Sequence, residues 1–149
     1  MPEEFVQFAQ KALIINDGKL LIIKKSSKDI NSPGKWEVPG GRKMIDETLD
    51  QQIIREVKEE VGLQIIPKEI FTMWEVKVKI NNNPTTLIAV SRFCQATNKK
   101  VVLEKNVIED YKWVEINDEL LTYDIMQGLK PTIIKLVEDY KSISNKPEI

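Results

Sequence analysis

A chain of 149 residues with 42% hydrophobic and 30% charged residues has the size and balance of one soluble globular domain. Its formal net charge of −1 offers no basic excess for nucleic acid or an acidic membrane, and no apolar stretch approaches a membrane span. With no histidine, His-based triads, His general bases and nearly all zinc sites are excluded, and the single Cys94 can form neither a thiolate cage nor an intrachain disulfide. A catalyst of this composition must work with carboxylates, lysines, tyrosines or hard metal ions held by oxygen, which points to Mg²⁺ or Mn²⁺. The start Met1-Pro2-Glu3-Glu4 lacks the features of a signal peptide, and a lone cysteine fits a reducing compartment, so a cytoplasmic location is expected.

Phe5 to Ile15 is apolar and β-tolerant, and Asn16-Asp17-Gly18 predicts a hairpin turn into a second strand, Lys19 to Lys25. Ser26 to Gly34 is a polar loop ending in Pro33-Gly34. Trp36 to Val38 predicts a short strand, stopped by a Pro39-Gly40-Gly41 turn. From about Glu47 to Val61 the pattern is helical: Leu49, Ile53, Val57 and Val61 recur every fourth residue, and Gly62 stands where a helix C-cap belongs. Leu63 to Ile80 alternates as a strand interrupted near Pro67, Asn81-Asn82-Asn83-Pro84 turns the chain, and Thr85 to Ala96 returns it. After a turn at Asn98-Lys99-Lys100, Tyr111 to Ile116 forms a short strand, with Asn117 or Asp118 capping a helical turn. Pro131 suits the first turn of a last helix through about Lys141, with Ile133, Ile134, Val137 and Tyr140 on its apolar side. The tail Ser144 to Ile149 is expected to fray. With no repeat or linker, the chain is expected to be a single domain over residues 1–149: a mixed sheet covered on both faces.

The segment Gly41 to Leu63 carries the chemistry. Glu56, Glu59 and Glu60 stand at i, i+3 and i+4, so the three carboxylates share one helix face beside the apolar row. Like charges at these spacings destabilise a helix by roughly 0.2–0.5 kcal/mol per pair, a cost that a divalent cation offsets. Arg55, four residues before Glu59, can hold a carboxylate by its planar fork. Glu47 adds a further carboxylate near the helix start, and Gly40-Gly41 lets backbone approach a ligand closely. Taken alone, Arg55-Glu56-Val57-Lys58-Glu59-Glu60 would be an ordinary solvated helix face.

Spacing across the whole segment decides otherwise. Gly41, five residues, Glu47, seven residues, then Arg55-Glu56-Val57-Lys58-Glu59-Glu60-Val61-Gly62-Leu63 resembles the Nudix box at all nine specified positions over 23 residues. The approach Trp36-Glu37-Val38-Pro39-Gly40-Gly41 is also similar to that family's. The resemblance implies a Nudix-type α/β/α sandwich, an α+β fold with a mixed β-sheet between helices, and metal-dependent hydrolysis of a pyrophosphate bond in a nucleoside diphosphate derivative. By the same likeness Glu56, Glu59 and Glu60 are metal ligands, with the Gly40 carbonyl completing the shell. Arg55 orients a glutamate, and Glu47 acts behind the ligands or through water. Gly41 and Gly62 shape the turns into and out of the helix, and Gly41 also borders the substrate. The implied chemistry is in-line attack of water on the P–O–P linkage, a carboxylate taking the proton.

Outside the box the signal thins. Lys25 matches a basic position at which MutT-like members contact nucleotide or phosphate. Glu104 and Glu109 are candidates for the further carboxylate that the family places on a later loop, Glu104 slightly preferred. Trp36, Trp74 and Trp113 could stack on a base, although aromatics in strands are more often core. A MutT-like nucleoside triphosphate pyrophosphohydrolase is the default expectation. An RNA 5′-end or ADP-ribose/dinucleotide pyrophosphohydrolase and a silent nucleotide-sensing module are the alternatives. The cluster Lys24, Lys25, Lys28, Lys35, Arg42 and Lys43 favours RNA, the overall charge disfavours it, and a silent module should lack a metal glutamate. A nucleotide-type small molecule is thus the expected partner, with no membrane or disulfide partner, nucleic acid disfavoured, and a homodimer left open.

Overall fold

The expected hairpin forms as read. In the computed structural model, which describes residues 4–144, β1 (Phe5–Asn16) and β2 (Lys19–Lys25) join through Asp17 and Gly18, with φ of 51° and 73°. Positive φ at both central residues is the turn whose twist suits flanking strands. The two strands then part: β1 pairs with β2 only at Ile15–Leu20 and Asn16–Lys19. Beyond that point β1 runs parallel to β6 (Asn83–Ala96) and antiparallel to β4 (Gly40–Arg42). β2 instead joins β3 (Trp36–Glu37) and β7 (Ile108–Glu115), both antiparallel. The sheet thus splays into two wings hinged at the β1–β2 turn, and β5 (Ile65–Ile80) is the far edge, paired with β6.

Two helices cover the two faces. Helix α1 (Leu49–Val61) buries Ile53, Val57 and Val61 completely against Ala12, Ile14, Leu21, Ile23, Leu63 and Cys94. Each fully buried aliphatic side chain contributes about 1.5–3 kcal/mol relative to exposure. Helix α2 (Lys130–Ser144) buries Ile133, Leu136 and Val137 against Leu13, Leu20, Ile22, Val38 and Val114 on the opposite face. A short 3-10 helix, Asp118–Thr122, leads towards it, its first amides capped by Asn117. This is the expected sandwich with a mixed sheet between helices. Among the described residues no helix is long and apolar enough to cross a membrane.

Several local expectations need correction. The Pro39-Gly40-Gly41 stretch, read as a turn, feeds strand β4, because Gly40 and Gly41 pair with Lys11 and Gln10. Helix α1 starts at Leu49 rather than about Glu47, since Thr48 and Gln51 form a reciprocal cap; Leu49, at the first turn, is 44% exposed. Strand β7 begins at Ile108, three residues earlier than read. Ile134 lies on the solvent side of α2. The irregularity near Pro67 is present as register shifts between Pro67 and Thr72. All three tryptophans pack against the two cores. Cys94 is buried in the α1-side core, where desolvation pushes its thiol up to about 12. Most of the expected frayed tail, 145–149, and the first three residues lie outside the described residues.

Candidate active site

Helix α1 is fixed at both ends before any functional carboxylate is placed. Gly62 closes the C-terminus with φ of 70°, and its amide donates to the Lys58 carbonyl. At the other end a buried amide network ties the helix to β1. The Gln10 side chain donates to the Leu49 carbonyl (2.6 Å) and to Gln52 Oε1 (2.7 Å), and Gln52 Nε2 donates to the Gly41 carbonyl (2.6 Å). Arg92 donates to Gln10 Oε1 at 3.4 Å and pairs with Asp50 at 2.7 Å. Every donor in a buried network of this kind needs its acceptor, so the helix is held in one position relative to the Gly-Gly strand.

From that platform the Gln52, Glu56 and Glu60 side chains descend one row, four residues apart. Glu60 is 4% exposed: its Oε1 accepts from the Gly40 amide at 2.7 Å and its Oε2 from Lys25 Nζ at 3.1 Å. Glu56 lies against Gly41, where a β-carbon would fall 2.7 Å from the carboxylate carbon. Burial, together with repulsion from Glu60, lifts Glu56 above the ordinary carboxylate range, partly offset by Arg55. Glu59 is the half-exposed member of the set.

Arg55 gathers the acidic side chains. Its Nε and Nη2 each meet a Glu47 oxygen at 2.8 Å, and its Nη1 reaches Glu56 at 3.1 Å and Glu59 at 3.4 Å. Glu47 also accepts the Met44 amide, and these bonds, the Arg55 pair first, hold its carboxyl down at about 2.

Two neighbouring segments complete the cluster. The strand β2 terminus delivers Lys25, which burial alone would lower; Glu60 and Glu37 more than reverse this, so the ammonium stays above its ordinary range. The loop after β6 returns along the end of α1: the Val102 amide donates to the Val61 carbonyl and the Glu104 amide to the Glu60 carbonyl, both at 2.9 Å. Glu104 is therefore carried beside the box. Desolvation, followed by Glu60 and Glu59, raises its carboxyl above the usual range, with Lys25 opposing. Glu109 is not brought there; it sits at the β2–β7 register shift, exposed, 3.6 Å from Lys24.

One constellation was not read from the sequence. Glu37, 3% exposed, accepts from Lys11 Nζ and from Ser32 Oγ, both at 2.9 Å. Lys11 belongs to one wing and Glu37 to the other, so the pair bridges the gap where β1 and β2 diverge. Burial would raise Glu37, but Lys11 and Lys25 overcome it and hold the carboxyl below its usual range. A signal existed: Lys11 shares an inward strand face with Ala9 and Leu13, where a charge requires a buried partner. Gln10 and Gln52 were also missed.

A family model described as the NUDIX domain matches residues 7–136. The chain belongs to the NUDIX family. Nucleoside triphosphatase NudI of Escherichia coli K12 is 29% identical over 129 residues, covering 81% of this chain and 89% of that protein. The Salmonella agona protein of the same name is 30% identical over the same length and shares. Among solved structures, a MutT protein from Methanosarcina mazei Go1 superposes with a TM-score of 0.70 at 23% identity, covering 98% of this chain and all of that one. The E. coli ORF135 protein gives 0.66 at 20% identity, covering 95% and 92%. These structures share the fold. As a Nudix hydrolase the protein is a nucleotide pyrophosphohydrolase, and divalent-metal dependence goes with the family. Its donor set is of the kind such an ion takes, oxygen alone, although among the described residues no three carboxylates are gathered about one point; burial first, and neighbouring glutamates second, raise Glu56 and Glu104.

Proposed function

We propose that this Nudix hydrolase cleaves a phosphoanhydride bond of nucleoside triphosphates in the MutT-like manner, with Mg²⁺ or Mn²⁺. The observation that carries the reading is the order of Glu56, Glu59 and Glu60 along α1, with Lys25 paired to Glu60 and the Glu104 amide bonded to the last turn of that helix, although among the described residues no three carboxylates close on one point. The names of the curated relatives favour the triphosphate as substrate.

Glu56, Glu59 and Glu60, with the Gly40 carbonyl, would hold the metal. Gly40 offers Glu60 its amide, so this residue would orient a ligand as well as supply its own carbonyl. A hard divalent cation supplies charge neutralisation on the diphosphate oxygens and lowers the pKa of a bound water. The protein residues do the rest. Arg55 holds Glu47, Glu56 and Glu59 by its guanidinium and touches no phosphate. Glu47 serves behind the ligands, as the far end of the Arg55 fork. Gly41 leaves room for the Glu56 carboxylate and for substrate. Lys25 supplies positive charge to a phosphate. Glu104, with its raised proton affinity, takes the proton from the attacking water; Glu109, tied to Lys24, is the lesser candidate.

The deciding experiment incubates the protein with nucleoside di- and triphosphates, dinucleotides and sugar nucleotides, with Mg²⁺ or Mn²⁺, and identifies products by mass. Turnover of triphosphates, lost in excess EDTA and restored by either ion, is expected. Preference for a dinucleotide or nucleotide sugar over every triphosphate would overturn the substrate assignment.

A further inference from the structure

β5 is the edge of its wing, and of the devices that keep an edge from pairing its outer half carries only exposed charge, at Glu75, Lys77 and Lys79. From Thr72 to Ile80 it runs opposite β6 in an unbroken register, with no proline, no bulge and no inward-pointing charge. The bulges and Pro67 are confined to its first half.

The turn fixes which backbone groups are free. Asn81 and Asn82 have φ of 51° and 64°, a two-residue turn whose flanking pair, Ile80 and Asn83, exchanges both ladder bonds. Alternation then sends the even-numbered residues' N–H and C=O towards β6. Thr72 agrees, since its amide donates to Ser91 Oγ, and Pro84, which has no N–H, falls opposite odd-numbered Lys79. Met73, Glu75, Lys77 and Lys79 therefore direct their backbone groups outward, and their side chains are all exposed on one face.

These four residues also specify a partner. In an antiparallel pair related by a twofold axis, only residues of one face stand opposite each other. Centring the axis on Glu75 opposes two glutamates, and centring it on Lys77 opposes two lysines. Centring it on Val76 places each Glu75 opposite a Lys77 and each Met73 opposite a Lys79, with Val76 facing Val76 and Trp74 facing Val78 beneath. The outward backbone groups of these residues are the ones that this register would bond.

We infer that two copies of this chain pair through the outer edges of β5, antiparallel about Val76, to form one sheet continuous across both. The test is light scattering with size-exclusion chromatography at high micromolar concentration, where a mass twice the 17.2 kDa chain is expected. Lys77→Glu and Glu75→Lys, each exposed and remote from the box, should each weaken association by about tenfold or more, because both symmetric pairs become like-charged. An equimolar mixture of these two variants should associate again, since every opposed pair is then Glu with Lys, and the double variant should dimerise like the original. A monomer at all concentrations, or a dimer untouched by either single change, would overturn the inference.

Discussion

Gly40 and Gly41 are adjacent, yet replacing each with alanine should have opposite consequences. At Gly41 the new methyl falls 2.7 Å from Glu56 Cδ and Oε1, against an ordinary contact of 3.4 Å or more, so the carboxylate must retreat by about 0.7 Å. It is the end of a flexible side chain, and the fold should lose no more than about 1 kcal/mol, or about 4 °C in Tm. Catalysis is less forgiving: a misplacement near 1 Å can cost about 10²-fold, so kcat should fall roughly 10–10²-fold. At Gly40 the methyl would sit 2.2 Å from the Gln10 carbonyl oxygen, and φ is 152°, a conformation that suits glycine. Only backbone movement relieves that clash. Strain and overpacking together cost about 2–6 kcal/mol, a large part of a total stability of about 5–15. Thermal unfolding and steady-state kinetics on both variants separate the cases. If Gly41→Ala kept full kcat, the position of Glu56 would not matter to the chemistry. If Gly40→Ala melted with the parent protein, the close packing of β4 on β1 would be wrong.

Glu60→Gln should lose activity by roughly 10²-fold or more and also destabilise the fold by about 3 kcal/mol, because buried Lys25 loses the carboxylate it bonds directly and keeps only the more distant Glu37. Adding Lys25→Met should recover the stability and not the rate, as chemical denaturation and turnover would show. Arg55→Lys keeps the charge and loses the fork, so kcat and metal affinity should drop with KM level; a raised KM at constant kcat would mean that Arg55 touches substrate. The same variant should change the acid profile. Glu47 lies at about 2 in the fold against an ordinary 4.5, so its stabilisation is complete above 4.5 and is lost as pH falls towards 2; weakening the fork should flatten that decline in urea midpoints. Glu104→Gln should abolish the acid limb of the pH–rate profile, since protonating this raised carboxyl removes the base. An unchanged profile would return the base to the box, with Glu60 the next candidate.

What could be read from the sequence followed the range of the interactions. The helix was legible because its period, its glycine cap and the spacing of its glutamates are local; the cap that sets its true start at Leu49 was equally local in Thr48-x-x-Gln51. Strand β4 was not, because Gly40-Gly41 has the composition of a turn and becomes strand only through pairing with a segment about thirty residues earlier. The partners Lys25–Glu60 and Lys11–Glu37 are separated by 35 and 26 positions, and no pattern in either segment names the other. The choice between Glu104 and Glu109 depended on backbone bonds from the loop to the last turn of α1, which carry Glu104 to the box and leave Glu109 in the β7 bulge beside Lys24.

The amide chain from Gln10 through Gln52 to Gly41 makes two distant positions a single unit of inheritance. Gln52 is fully buried and Gln10 is 1% exposed, so losing Gln10 strands the Gln52 Oε1 acceptor in a dry interior, and losing Gln52 strands one Gln10 N–H there. Replacing both with apolar residues of matching shape removes the demand along with the bonds, apart from the backbone carbonyls of Leu49 and Gly41 and the Arg92 fork, which would each have to find water. Drift at these positions should therefore proceed in pairs: a lineage that loses one glutamine is expected to lose the other soon afterwards, while the glutamates they help to place stay the same.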